Sequence, residues 1–456
     1  LKKPSLDSND LKKFRPVSNL PFLSKKKKKI VLSQLLQHLD FNQLLPTFQS
    51  AYRSHHSTET ALLKILNDLL TSLDQNKLCL LTLLDLSCAF DTIDHSLLLR
   101  RLESNFGITG SALSWFSSYL SDRHQTVSVN GFTSQSSPVK YGVPQGSVLG
   151  PVLFVMYMQP LFDIVKHHAV NHHAFADDNQ LYKDTTLADL QPTLVSLQHC
   201  ISDVKDWMSL NKLQLNDSKT ECMLVRTSRT PTTDLPASLK VGDAEVAFVS
   251  SVRNLGVTLD CNLTMSDHVQ NICKAAYIQL RQIGAIRHLL TQQATQTLVS
   301  AFVLSRLDYC NSLLSGCPKY LLNKLQRVQN AAARLVCKAR KSDHITPILH
   351  SLHWLPISSR IQYKLSCICF NSFSGFAPRY LSELLHIYTP SRQLRSSADT
   401  RVYRIPTVRT KTLGQRAFIY QGPVTWNGLP LSVRHSDSIL SFRSNVKTHL
   451  FVDVYC

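Results

Sequence analysis

The sequence predicts an α+β fold over residues 1–260, continued by a basic and mainly helical region to residue 456. Three observations carry that prediction. Up to about residue 260, short apolar runs bounded by turn dipeptides alternate with amphipathic stretches. Beyond it, apolar residues recur at helical spacing over long stretches. The charge changes at the same point: residues 1–260 hold 26 Lys/Arg and 24 Asp/Glu, whereas residues 261–456 hold 24 and 7. At 456 residues and 43% hydrophobic, the chain can bury a large core and is too long for one ordinary domain. Its pattern divides it into 1–260, a helical unit at 261–345, and a C-terminal region at 346–456.

The elements follow in order. Residues 1–30 are polar and Lys-rich, ending in Lys25–Lys29. Leu62, Leu66, Leu69 and Leu73 mark a helix over 58–73, with Glu59 suited to its first turn. The run at 78–86 reads as a buried strand with Asp85 at its exit. Helices are expected at 95–103 and 111–120, and a hairpin around Asn130-Gly131. A Gly/Pro loop at 142–151 leads into an apolar helix at about 152–166. Residues 174–182 read as strand, tight turn, strand. A helix over 187–213 carries Trp207 and Met208 on its apolar side. A strand at 221–225 and a hairpin at 240–246 complete the first part. In 321–336, Leu321, Leu325, Val328, Ala332, Leu335 and Val336 form an apolar stripe, with Lys324, Arg327 and Arg334 between. Pro347 and Pro356 bracket a loop, and the tail from about 385 is Ser/Arg-rich with short elements.

Composition narrows the function. A net charge of +19, concentrated after residue 260, favours a polyanionic partner such as nucleic acid, because neutralised phosphates release condensed counterions. The 12 cysteines form no CxxC pair, so free thiols are expected rather than a disulfide scaffold or a zinc site. Residues 142–162 are uncharged over a membrane-spanning length, but Pro144, Pro151 and Pro160 interrupt them, so no transmembrane segment is expected. The first residue is Leu1 rather than Met, as in a processed chain or a fragment of a longer reading frame.

Three segments carry chemistry: Asp85 ending an apolar strand with Phe90-Asp91 following, the GVPQGS loop from Gly142 to Ser147, and Asp177-Asp178 on a hairpin. Tandem Asp alone means little. Three carboxylates gathered at strand ends are costly unless cations join them. Hard divalent ions with oxygen ligands, Mg²⁺ above all, suit that donor set and phosphate substrates.

These segments resemble a known family. LLDLSCAFDTIDHSLLL (83–99), YGVPQGSVLGPVLF (141–154) and AFADDNQLY (174–182) resemble motifs A, B and C of LINE-type (non-LTR) retrotransposon reverse transcriptases. FRPVSNLPFLSK (14–25), FQSAYRSHHSTETAL (48–62), LNDSKTE (215–221) and NLGVTLD (254–260) resemble further segments of that family in the same order. The DTIDH and GVPQGSVLGP wording is closest to the jockey-like branch. The resemblance implies a right-hand fold of fingers, palm and thumb, with an antiparallel palm sheet. It implies an RNA-directed DNA polymerase that joins dNTPs to a DNA primer on an RNA template.

The roles are carried over by position. Asp85, Asp177 and Asp178, with the Leu86 carbonyl, would hold two Mg²⁺ ions, Mn²⁺ being an admissible substitute. Phe90 would exclude a ribose 2′-hydroxyl, and Gln145 and Gly146 would lie against the nucleotide. Arg15 and Arg53 would meet the triphosphate, with Lys219 near the pyrophosphate. Lys324, Arg327 and Arg334 would grip the nucleic-acid backbone from a thumb-like domain at 261–345. The role of residues 346–456 is left open. The family's life cycle implies nucleus and cytoplasm. Its upstream endonuclease, which would nick target DNA, is absent from this chain. Lys25–Lys29 departs from the pattern, because five consecutive lysines cannot supply an apolar helix face there. A template contact, an import patch and a decayed, inactive nucleic-acid-binding copy are the readings of that departure.

Overall fold

The computed structural model describes residues 18, 20–87, 90–129, 131–144, 146–231, 235–242, 244–389 and 401–456. Arg15 and Gln145 lie outside the described residues.

The chain runs through α1 (Phe22–Phe41), α2 (Thr58–Asp74), β1 (Leu78–Leu84), β2 (Leu86–Ser87), α3 (His95–Ser104) and α4 (Gly110–Leu120). Two short nested hairpins follow: β3 (His124–Gln125), β4 (Ser128–Val129), β5 (Phe132–Thr133) and β6 (Ser137–Pro138). Then come α5 (Gly150–Met158), α6 (Pro160–His167), β7 (Asn171–Phe175), β8 (Asp178–Thr185), α7 (Leu190–Leu210), β9 (Gln214–Leu215) and β10 (Glu221–Val225). Two hairpins, β11 (Ser238–Val241) with β12 (Ala244–Ala247) and β13 (Ser251–Asn254) with β14 (Val257–Asp260), end the first part. The helical part comprises α8 (Ser266–Ala285), α9 (Gln292–Val299), α10 (Ser305–Asp308), α11 (Lys319–Cys337), α12 (Ile345–Ser351), α13 (Ile357–Phe373), α14 (Arg379–Ser382), α15 (Phe418–Asn427), α16 (Leu431–Arg434) and α17 (Ile439–Tyr455).

The centre is a four-stranded antiparallel sheet in the order β10-β1-β8-β7. Side chains of a strand alternate between faces, and here each face belongs to a different core. Cys79 and Leu81 of β1, with Met223 and Val225 of β10 and Tyr182 of β8, join a cluster built on α2. Leu78, Leu80 and Leu84, with Cys222, Leu224 and Leu181, join a second cluster built on α1, α3, α5 and α7. A strand buried on both sides must be apolar throughout, which is why 78–84 shows no alternation.

The first cluster extends without a break through α8, α11, α13 and α15 to Val446 and Leu450 of α17. Residues 346–456 thus share one core with 261–345 and with the back of the sheet. Within it Trp426, Phe370 and Phe442 are buried against one another, the rings of Phe370 and Phe442 stacked at 4.4 Å. Burial of a large side chain of this kind contributes about 2–3 kcal/mol.

Most elements stand where the sequence puts them, and four differ. The lysine run is helical as part of α1, whose fully buried residues, Leu35 and Leu39, lie in its second half. The apolar helix after the Gly/Pro loop is two helices, because Pro160 has no amide hydrogen to continue the first and takes the opening turn of the second. Pro347 sits in the first turns of α12 rather than in a loop. The tail holds α17, a helix of 17 residues, because Phe442, Val446 and Leu450 recur at i, i+4, i+8 against the core. The described cysteines are free, and most are buried. Among the described residues no helix is long and apolar enough to cross a membrane.

Candidate active site

The chemistry-bearing residues meet at one end of the central sheet. Leu84, the last residue of β1, pairs with Asn179 of β8, so Asp85 leaves its strand beside Asp178, where β8 begins. Both line a cavity of about 400 Å³, together with Gln180, Lys219, Glu221, Arg253 and Asn254. Asp177 lies at the tip of the β7–β8 hairpin. Among the described residues no three His, Cys, Asp or Glu side chains stand close enough to hold a metal ion. What pairs with Asp85 is an ammonium: Lys219 Nζ lies 2.9 Å from its Oδ2, and Asn216 Nδ2 donates to the same oxygen at 3.4 Å.

The donor set fits divalent ions in kind. It is all oxygen, Asp85 is partly solvent-facing, and Asp85 is paired with a cation on a flexible stem. The backbone contributes too. Asn216 N–H donates to the Asp85 carbonyl at 2.9 Å, which makes 85–216 a hydrogen-bonded pair of the β2–β9 ladder. Antiparallel ladders alternate, so the Leu86 carbonyl turns away from β9.

The hairpin tip is held under strain. Phe175 pairs with Asp178, leaving Ala176 and Asp177 as the two turn residues. Ala176 has φ 60°, a conformation that costs an L-residue roughly 1–2 kcal/mol. Two side chains hold it. Gln49 Oε1 accepts from the N–H of Ala176 at 3.2 Å and of Ala51 at 2.9 Å. Asn179 donates to the Asp177 carbonyl at 2.9 Å and meets His172 Nε2 at 3.0 Å through its other end. Further down, Ser50 N–H donates to the Ala174 carbonyl, and Ala174 N–H to that of Phe48. Ser50 Oγ also meets His173 Nε2 and the Tyr380 hydroxyl, each at 2.8 Å.

The other segments dock on Asp85's loop. Val143 N–H donates to the Phe90 carbonyl and Gly142 N–H to the Ile93 carbonyl, both at 2.8 Å. Gly142 has φ 82°, and a Cβ there would stand 2.7 Å from the Asp91 carbonyl oxygen, so only glycine allows this approach. Phe90 is half-buried, its ring 4.8 Å from that of Phe154. Gly146 is exposed, with φ 87°.

The remaining sequence-derived residues are spread more widely. Arg53 Nη1 donates to the Pro46 and Gln49 carbonyls at 2.7 and 3.1 Å, bracing the loop that carries Gln49. Burial lowers its pKa. Lys324 and Arg327 are exposed on α11, whereas Arg334 is half-buried and donates to the Asp343 carbonyl. Sequence reasoning missed Gln49, Tyr52, Asn179, Asn216 and Arg253. Tyr52 is near enough to Asp177 to feel its charge: burial first, and then that carboxylate, push its hydroxyl pKa up. The FQSAYR segment was the signal, but it drew attention only to its arginine.

Residues 1–259 match the family model described as reverse transcriptase (RNA-dependent DNA polymerase). The chain belongs to the reverse transcriptase family. Among curated proteins it is 27% identical, over 345 residues, to the RNA-directed DNA polymerase from mobile element jockey of Drosophila melanogaster, covering 72% of this chain and 36% of that one. It is 25% identical, over 406 residues, to the probable RNA-directed DNA polymerase from transposon BS of the same organism, covering 86% and 43%. The jockey-like branch expected from the motif wording is the one these relatives represent. The chain spans less than half the length of either. Among solved structures, apo telomerase from Candida tropicalis aligns with 13% identity and a TM-score of 0.39 over 78% of this chain and 59% of that one.

Proposed function

We propose that this reverse transcriptase chain is an RNA-directed DNA polymerase, extending a DNA primer with dNTPs on an RNA template. The observation that carries the reading is the convergence of Asp85 and Asp178 in one cavity, beside the strained turn that presents Asp177. These three carboxylates and the Leu86 carbonyl would hold two divalent ions, Mg²⁺ fitting the all-oxygen donors and the phosphate substrate. Bound there, the ions would supply charge neutralisation and an acidified primer hydroxyl.

The chain's own groups do the rest by position. Lys219 and Arg253 line the same cavity and bring cations to the side where a triphosphate would lie, and Lys219 can return a proton to pyrophosphate. Displaced from Asp85 by an ion, the Lys219 ammonium would still be within a side chain's reach of that phosphate. Phe90, backed by Phe154, would bar a 2′-hydroxyl by its bulk. Gln145 and Gly146 would face the bases, and Arg15 and Arg53 the triphosphate. Lys324 and Arg327, with Arg334 behind them, would follow the duplex backbone from α11 as part of a thumb at 261–345.

The test is primer extension on poly(rA)/oligo(dT) with dTTP and Mg²⁺, beside an Asp177→Asn variant. Extension by the wild type, lost in the variant while duplex binding persists, supports the reading. Extension that survives in Asp177→Asn overturns the metal assignment. Absence of extension in both, with binding intact, overturns the activity for this chain.

A further inference from the structure

We propose that the face shared by α1 and α4 is a second nucleic-acid site, which takes a single strand by base stacking and phosphate neutralisation. It does not depend on the carboxylate cavity and shares no lining residue with it.

Charge is the first observation. Residues 22–39 contain five lysines and no acid, and residues 104–123 contain Arg123 and one acid, Asp122. Lys28 and Arg123 stand close enough for the arginine's charge, after burial, to lower the lysine's pKa. Among the described residues neither forms an ion pair with a carboxylate.

Aromatic geometry is the second. The Trp115 and Tyr119 rings are parallel within 4° at a centroid distance of 5.6 Å. Lys28 Nζ lies 4.9 Å from the centroid of Tyr119, and the Arg123 guanidinium carbon lies 5.4 Å from it. Trp115 is 38% exposed, so part of its ring surface is free for a further ring. Trp115 also lines a groove of about 350 Å³ with Leu23, Ser24, Lys27 and Lys28.

Unused polar atoms are the third. The Tyr119 hydroxyl and Arg123 Nη1 are buried with no hydrogen-bond partner. Both are donors in want of an acceptor, and being enclosed they would meet a phosphate or base-edge oxygen only once the side chains around them shift.

Two other occupants fit less well. A lone phosphate would use the cations and leave the stacked rings idle. An anionic lipid surface would meet the exposed Phe22, Leu23 and Ile30 of α1 beside the lysines, but it would leave the Trp115–Tyr119 stack of α4 unused, and the vesicle arm of the experiment separates it from a nucleic-acid strand. A flat aromatic platform edged by cations is how single strands are bound with little sequence preference, each stacked base contributing strongly.

The experiment uses the full chain and a single-stranded 4-thiouridine-containing RNA of about fifteen nucleotides, several stacked bases long. Ultraviolet crosslinks are mapped by mass spectrometry with excess primer–template duplex present. The expected result is a crosslinked peptide containing Trp115 or Tyr119 that survives duplex competition. Binding under the same competition should weaken about tenfold in Trp115→Ala. In Lys27→Glu, an exposed position that folding does not use, the salt dependence should drop by about one phosphate contact. Crosslinks confined to other peptides would overturn the proposal. So would unchanged affinity in both variants, or binding to phosphatidylserine vesicles that RNA does not displace.

Discussion

Two aspartates flank the same strand, and the molecule treats them in opposite ways. Asp74 precedes β1 and is 6% exposed. It accepts from the N–H of Arg409 at 2.8 Å, and from the N–H and hydroxyl of Thr410 at 2.7 Å each. Burial works to raise its pKa, but these bonds and one from Gly414 N–H outweigh it and hold the carboxyl below its usual range. The fit is close: a Cβ on Gly414 would stand 2.6 Å from the carboxylate. Asp85 follows β1, opens on a cavity, and is paired with an ammonium and an amide from 216–219. Fixed amides cannot leave, so Asp74 is spent on joining 409–414 to the back of the sheet. An ammonium on a flexible stem can be replaced by another cation. Identical side chains at the two ends of one strand therefore differ in what their partners permit.

That contrast can be broken or sharpened by measurement. Asp85→Asn should lower the rate of primer extension on the order of a thousandfold, since ion-held carboxylates supply several kcal/mol at the reacting phosphorus. Its melting temperature should stay close to that of the wild type. A matching drop in stability would show that Asp85, like Asp74, is structural. Asp74→Ala should do the reverse. Stranding three backbone amides and a hydroxyl should cost about 2–3 kcal/mol in urea unfolding, while extension by the folded fraction persists.

Acid should act on a third set of groups. Burial lowers His172 to about 4 and His173 to about 3, so both are neutral in the fold, whereas an unfolded histidine takes a proton near pH 6.5. Their contribution is complete above that pH and is lost as pH falls toward the folded values. Between pH 7.5 and 5.5 the unfolding free energy from urea titration should fall by about 1 kcal/mol for each histidine. His173→Gln, which can still bond Ser50, should show less of that loss, and an equal loss would clear His173 of it. Smallest is Gln49→Leu. It removes one acceptor from the Ala176 turn and should cost extension up to about tenfold, one hydrogen bond's worth, with Kd for duplex unchanged.

The sequence made the sheet end legible because its signals are local. An apolar run must stop where its acid begins, and a two-residue turn must separate β7 from β8. Asp85, Asp177, Asp178 and Lys219 could be placed by such rules together with the family's motif order. Gln49 could not, because its task is set by Ala176, far along the chain, and no periodicity records that contact. The lysine run misled in the opposite direction. Its charge argues against a helix with an apolar face, yet α1 packs against the core only from Val31 onward, past the lysines. Lys28 sets its ammonium over the ring of Tyr119. The tail read as short elements because Ser and Arg dominate its composition, while the three residues that fix α17 are spaced four apart among polar neighbours.

The hydroxyl of Tyr380 touches Ser50 and Thr60, and through Ser50 it reaches His173, which lies four positions before Asp177. This bond ties the C-terminal helical part to the part that carries the motifs. A copy whose frame stops before Tyr380 would keep every motif in its first 260 residues and still lose the post against which Ser50 leans. Intact motifs alone would then overstate how many such chains can still hold the Ala176 turn.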